Sequence, residues 1–127
     1  TSVYFNPMDS NKLLSTCYDD HVRLHYNLTK SSEKHSHSEM SHNNQTGRWI
    51  TNFKAVWDPK SPNYAVVGNM NRGIDIINAS EGNGCIVRNI TSDYLTAQPA
   101  VNAFHPNLDV VASGNASGKI AIWSRVL

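Results

Sequence analysis

The sequence predicts an all-β fold built from repeated four-stranded units, the architecture of a β-propeller, and three observations predict it. First, an apolar run with an aromatic two places before a proline occurs three times: Ser2-Val3-Tyr4-Phe5-Asn6-Pro7, Lys54-Ala55-Val56-Trp57-Asp58-Pro59 and Val101-Asn102-Ala103-Phe104-His105-Pro106. Second, each proline is followed by a short strand-like run, a turn rich in Asp, Asn or Gly, and a further strand-like run that begins 15, 15 and 14 residues after it. Third, the prolines lie 52 and 47 residues apart, slightly above the roughly 40 to 45 residues of a propeller blade. A fixed period of this kind marks units that cannot bury their apolar faces alone and stack to do so.

The elements follow in order. The first blade, residues 1–52, has strand-like runs at 2–5 and 13–17, the turn Tyr18-Asp19-Asp20-His21, and a third run at 22–26. Residues 28–41 form a Ser-, His- and charge-rich insertion with no period, read as a solvated loop before a fourth strand. Residues 42–53 are a polar loop that passes through Gly47-Arg48-Trp49 into the inner strand of the next blade. The second blade, 53–99, repeats the pattern at 54–57, 65–68 and 74–77 around the turn Met70-Asn71-Arg72-Gly73, with a fourth strand expected at 84–89. The last blade, 100–127, has runs at 101–104, 110–114 and 120–123 around Ala116-Ser117-Gly118-Lys119, and no closing outer strand. Three blades do not close a ring of roughly four to eight, and open edges leave unpaired backbone groups. The expectation is therefore the C-terminal three-blade fragment of a seven-bladed propeller, closed by a distant N-terminal strand; a start at Thr1 rather than Met fits a fragment.

Composition bounds the function. With 39% hydrophobic and 17% charged residues the chain reads as globular, and its net charge of +1 excludes a strongly basic tail while leaving room for a local basic patch. Cys17 and Cys85 lie in unrelated contexts, as expected of reduced thiols in an intracellular protein. No run approaches the roughly 20 apolar residues of a membrane span, so no membrane partner is expected. Residues 114–120, Gly-Asn-Ala-Ser-Gly-Lys-Ile, imitate a phosphate loop but are one residue short, lack Ser or Thr after the lysine, and sit between two strands. His35 and His37 have no cysteine or carboxylate at ligand spacing. His105 is matched by Asn6 and Asp58 and reads as a turn-forming polar residue. With no nucleophile elbow and no paired carboxylates, the chain is not expected to be an enzyme, and no catalytic residue, cofactor or metal is assigned.

What remains is one rim. In a propeller, the loops entering each inner strand and the turns joining second to third strands emerge on the same face. That face collects residues 45–49, 69–72, 92–98 and 115–119, with Asp19 and Asp20. Arg48, Arg72 and Lys119, with Lys54, form a scattered basic set around Trp49, which fits phosphate contacts plus stacking on nucleic acid. The plainer reading has Trp49 capping an apolar edge, Arg48 in solvent, and Asp19 and Asp20 offsetting the cations.

The run Ile120-Ala121-Ile122-Trp123-Ser124 after a Ser-Gly-Lys turn resembles the WD-repeat signature, with Ser124 where Asp is usual and no Gly-His dipeptide in any repeat. A more specific likeness lies in residues 42–59, above all His42-Asn43-Asn44-Gln45-Thr46-Gly47-Arg48-Trp49, and in Gly68-Asn69-Met70-Asn71-Arg72-Gly73-Ile74-Asp75-Ile76. These resemble the propeller of the WD repeat-containing protein 76 and fungal changed-mutation-rate protein family, and more distantly DNA-damage-binding protein 2. The resemblance implies a nuclear, non-enzymatic, DNA- and chromatin-associated propeller of the DNA damage response, some of whose relatives are cullin-4 ubiquitin ligase substrate receptors. In DNA-damage-binding protein 2 a Phe-Gln-His wedge enters the duplex; it falls on Gly47, Arg48 and Trp49, so the apolar plug is missing while a cation and a ring remain. The expected DNA-binding set is thus Gly47, Arg48, Trp49, Lys54, Arg72 and Lys119. The Trp-Asp-x-Arg ligase-docking box is not matched by Trp123-Ser124-Arg125-Val126, so any contact with the cullin-4 adaptor is expected in upstream blades. The alternative expectation is a scaffold that binds histones or other chromatin proteins without touching DNA, with Trp49 as its hot spot.

Overall fold

A computed structural model describes residues 2–26, 28, 36–47, 50–80 and 84–124. Among them there is no helix, and the strands form three antiparallel sheets. Sheet one runs β1 (Ser2–Phe5), β2 (Leu13–Cys17), β3 (His21–Tyr26), β4 (Ser36–Ser41); sheet two runs β5 (Val56–Trp57), β6 (Tyr64–Gly68), β7 (Gly73–Asn78), β8 (Cys85–Thr91); sheet three is β9 (Val101–Phe104), β10 (Val110–Gly114), β11 (Ile120–Ser124). Each sheet is a meander in chain order, which is the propeller blade the repeat predicts.

Local chemistry repeats with the period. The polar residue before each proline folds the first connection back on itself: Asn6 Oδ1 accepts from the Met8 and Asp9 amides, Asp58 Oδ1 from Lys60, and His105 Nδ1 from Asn107 and Leu108. Each hairpin between second and third strands turns on one left-handed residue, Asp20 (φ 67°), Arg72 (φ 63°) or Gly118 (φ 85°). Asn69 and Asn115 open the second and third of these turns, each accepting two backbone amides on its Oδ1.

One strand departs from the expectation. β4 occupies Ser36–Ser41, inside the stretch 28–41 read as a solvated loop. The reason is that an outer strand needs one buried face only. Met40 lies opposite Val22 and is 5% exposed, while Glu39 and His37 on the other face lie opposite Arg23 and His25. The rest of that stretch, apart from Leu28, lies outside the described residues. β5 is also shorter than the expected 54–57, pairing through Val56 and Trp57 alone.

The main core lies between sheets one and two. Leu14, Val22, Leu24 and Met40 meet Phe53, Ala55, Trp57, Ala65, Val67 and Ile77. Full burial of an aliphatic or aromatic side chain is worth about 1.5–3 kcal/mol, so this layer fixes the blade spacing. Polar ties seal it. Trp57 Nε1 donates to Tyr4 O (2.8 Å), the Ala55 amide to Thr16 Oγ1 (2.9 Å), and the buried Lys12 ammonium to Pro62 O and Asn63 Oδ1 (3.1 Å each). Sheets two and three are joined by Lys60 Nζ donating to His105 O (2.7 Å), and by Gly68, where a Cβ would stand 2.2 Å from Pro99 O. Within sheet three, Trp123 Nε1 donates to Ser113 Oγ (2.9 Å), and Ser113 in turn donates to Asn102 Oδ1. Sheet one repeats the link with Ser15 and His25 (3.1 Å), and sheet two replaces it with the apolar pair Val67 and Ile77.

Candidate functional site

The chain leaves β4 extended and alternating. His42, Asn44 and Thr46 are buried; Asn43, Gln45 and Gly47 are exposed. The buried residues are polar, so each must find partners. The His42 amide donates to Asp20 O and the Asn44 amide to Asp20 Oδ1 (3.0 Å each). Asn44 Nδ2 donates to Cys17 O (2.7 Å), Tyr18 Oη to Thr46 O (3.0 Å), and Gln45 Nε2 to Tyr18 O (2.6 Å). The segment therefore lies strapped across the β2–β3 turn. Ile50 N donates to Gly47 O (3.0 Å), tying together the two residues that flank Arg48 and Trp49. Arg48 and Trp49 themselves lie outside the described residues.

The second turn is reached through a buried contact between a histidine and a carboxylate. His42 Nε2 lies 3.1 Å from Asp75 Oδ2 on β7, with both side chains about 95% covered (3% and 5% exposed), and off the axis of a straight hydrogen bond. Asp75 Oδ1 accepts from Asn69 Nδ2 (2.9 Å) and from Asn89 Nδ2. Burial pushes the Asp75 carboxyl up, but the neighbouring His42 ring and the hydrogen bonds from Asn69 and Asn89 outweigh it and hold the group below its ordinary value.

The third part of the rim is the loop after β8. Residues 91–96 face Met70, Asn71 and Arg72 across an open, polar groove. On their other side they meet the β10–β11 turn: Thr96 Oγ1 donates to Ser117 Oγ (3.3 Å), and Lys119 Nζ donates to Tyr94 O (3.1 Å) while standing 4.9 Å over the Tyr94 ring.

The six expected contact residues thus differ in standing. Gly47 is exposed, with nothing among the described residues within 4 Å of where a Cβ would lie. Lys54 is half-buried between the buried Phe53 and Ala55. Arg72 is exposed, and no hydrogen bond or ion pair holds its guanidinium among the described residues. Lys119 is pinned to Tyr94. Arg72 and Lys119 flank one loop, and no contact joins either of them to Gly47. The acids expected to offset the cations are themselves engaged. Asp19 pairs with Arg23 (2.6 Å), whose hydrogen bond lowers its carboxyl, and Asp20 is lowered by the Asn44 amide and Gln45.

Sequence reasoning missed the buried polar chain under the rim. The alternation of His, Asn and Thr at 42, 44 and 46 was its only local trace. Residues 114–120 are a β-hairpin turn closed by Asn115. His37 lies on β4 beside Glu39 (3.4 Å), and His35 lies outside the described residues.

No protein-family model matches the chain. It is 38% identical over 125 residues to WD repeat-containing protein 76 of Xenopus laevis, covering 96% of this chain and 21% of that protein. It is 35% identical over 124 residues to the protein of the same name from Mus musculus, covering 96% and 20%. With the DNA damage-binding protein CMR1 of Phaeosphaeria nodorum it shares 37% over 129 residues, 90% of this chain and 24% of that protein. The chain spans about a fifth of the length of the curated relatives it matches. Over nearly all its residues the chain is similar to WD repeat-containing protein 76 and to the fungal DNA damage-binding protein CMR1, and its three antiparallel sheets are those of a WD-repeat propeller fragment.

Proposed function

We propose that the chain is part of a non-enzymatic WD-repeat propeller that contacts DNA through this rim and acts in the DNA damage response and genome maintenance. The observation that carries the reading is Arg72. An arginine with left-handed backbone costs about 1–2 kcal/mol where glycine would cost none, and its guanidinium is exposed and unpaired among the described residues, beside a polar groove. A strained surface cation without a described partner supports a contact made with something else. A duplex phosphate suits an exposed planar cation, and the strapped segment 42–47 leads directly into a second cation and a flat ring, Arg48 and Trp49. The fungal relatives' name, DNA damage-binding protein, supports the same partner. Lys54 adds positive field along the path; Lys119, already pinned, adds charge rather than reach. With Gly47 at the head of the tip, the contact is with backbone and groove rather than by lesion wedging.

The reading carries with it a nuclear location, association with chromatin proteins including histones, and service as a cullin-4 substrate receptor docked through other parts of the protein. Its test is a salt-titrated duplex-binding assay on the full-length protein. Arg48→Ala with Trp49→Ala weakens binding, and Arg72→Ala lowers the salt slope by about one phosphate's worth. Unchanged binding in both variants would sink the proposal. Loss of a protein partner on Trp49→Ala with DNA affinity intact would replace it with a chromatin-protein scaffold.

A further inference from the structure

Both ring nitrogens of His42 face acceptors. The Asn44 amide has its orientation fixed, because Nδ2 donates to Cys17 O and His21 O, so the atom 2.6 Å from His42 Nδ1 is the acceptor Oδ1. On the other side Nε2 looks at the Asp75 carboxylate. Nδ1 is hydrogen-bonded to Asn44, while Nε2 rests against the carboxylate without a straight hydrogen bond. Phe53 closes the remaining side edge-on at 5.8 Å. The chain of bonds then continues: Asp75 Oδ1 takes Asn69 Nδ2, and Asn69 Oδ1 takes the amides of Asn71 and Gly73, the residues on either side of Arg72.

We infer that His42, Asp75 and Asn69 form a buried latch that sets the segment leading to Arg48 and the turn carrying Arg72 in one fixed relation. These are positioning residues: they touch no ligand and act through the two rim elements. Polar groups buried together between two blades hold one arrangement, because moving either leaves the other without a partner. The role in ligand binding rests on the DNA reading above; the latch itself does not.

The test uses the full-length protein. Amide exchange across residues 42–47 and at Gly73 is expected to rise together in His42→Gln, and in Asp75→Asn as well. The double variant is expected to fall short of the sum of the singles in loss of protection, as for a pair. Exchange unchanged at Gly73 in His42→Gln, or strict additivity, would overturn the coupling. Where the wild type binds duplex DNA, His42→Gln weakens it by about tenfold while the salt slope stays at the wild-type value, because no phosphate contact is removed; unaltered affinity would overturn the positioning role. A wild type that does not bind DNA refutes the proposed function, and the exchange measurements still decide the latch.

Discussion

Replacing Asp75 with Ala removes the acceptor that gathers three donors from three places: the His42 ring on the strap, Asn69 at the mouth of the β6–β7 turn, and Asn89 on β8. The site is buried, with Asp75 at 4% exposure. Each carboxamide left without an acceptor costs about 1–3 kcal/mol unless water enters. These losses share one cavity and are not additive, so we expect about 3–5 kcal/mol in all at pH 7, read from urea unfolding of the full-length protein. Acid supplies the control. The folded carboxyl lies below its ordinary value, so its contribution is complete above the unfolded value of about 4 and is lost as pH falls through the lower folded value. The gap between wild type and Asp75→Ala should therefore narrow as pH falls below about 4. A cost under about 1 kcal/mol at pH 7, or a gap that does not change with acid, would refute the reasoning.

Other expectations follow from single contacts. Gly68→Ala forces a Cβ to 2.2 Å from Pro99 O and 3.2 Å from Phe53 Cδ1; thermal unfolding should show a loss of about 1–3 kcal/mol, whereas Gly114→Ala, with nothing within 4 Å, should be near neutral. Arg72→Gly relieves the left-handed backbone and should raise stability by about 1 kcal/mol while lowering duplex affinity, a trade that a purely structural arginine would not show. Gly47→Phe meets open space, so the melting temperature should stay at the wild-type value while binding to mismatched duplex tightens; no gain would show that the tip does not approach the base stack.

The strands were legible because their signals are local. An aromatic two places before a proline, a polar residue folding the next turn, and an Asx-rich hairpin recur within each unit, and each has its own hydrogen bonds in the structure. β4 was hidden because Ser36–Ser41 offers one apolar side chain, Met40, and the rest of its pairing is backbone. The rim was half legible. Exposed Arg72 and Gly47 follow from turn chemistry and from the loop's composition. The pinning of Lys119 by Tyr94, 25 residues away, has no local trace. Nor does the burial of His42, Asn44 and Lys12, whose partners lie in a different turn or on the next blade. Polar residues read as solvated when their acceptors are distant in sequence, and here those distant acceptors hold the rim.

The central claim is that the rim touches DNA, and the most direct measurement is the affinity of the full-length protein for duplex DNA across a salt series, wild type against Arg48→Ala with Trp49→Ala. The account predicts weaker binding at every salt concentration and a shallower slope, as a phosphate-contacting cation and a stacking ring are lost together. Superimposable curves for the two proteins would contradict it.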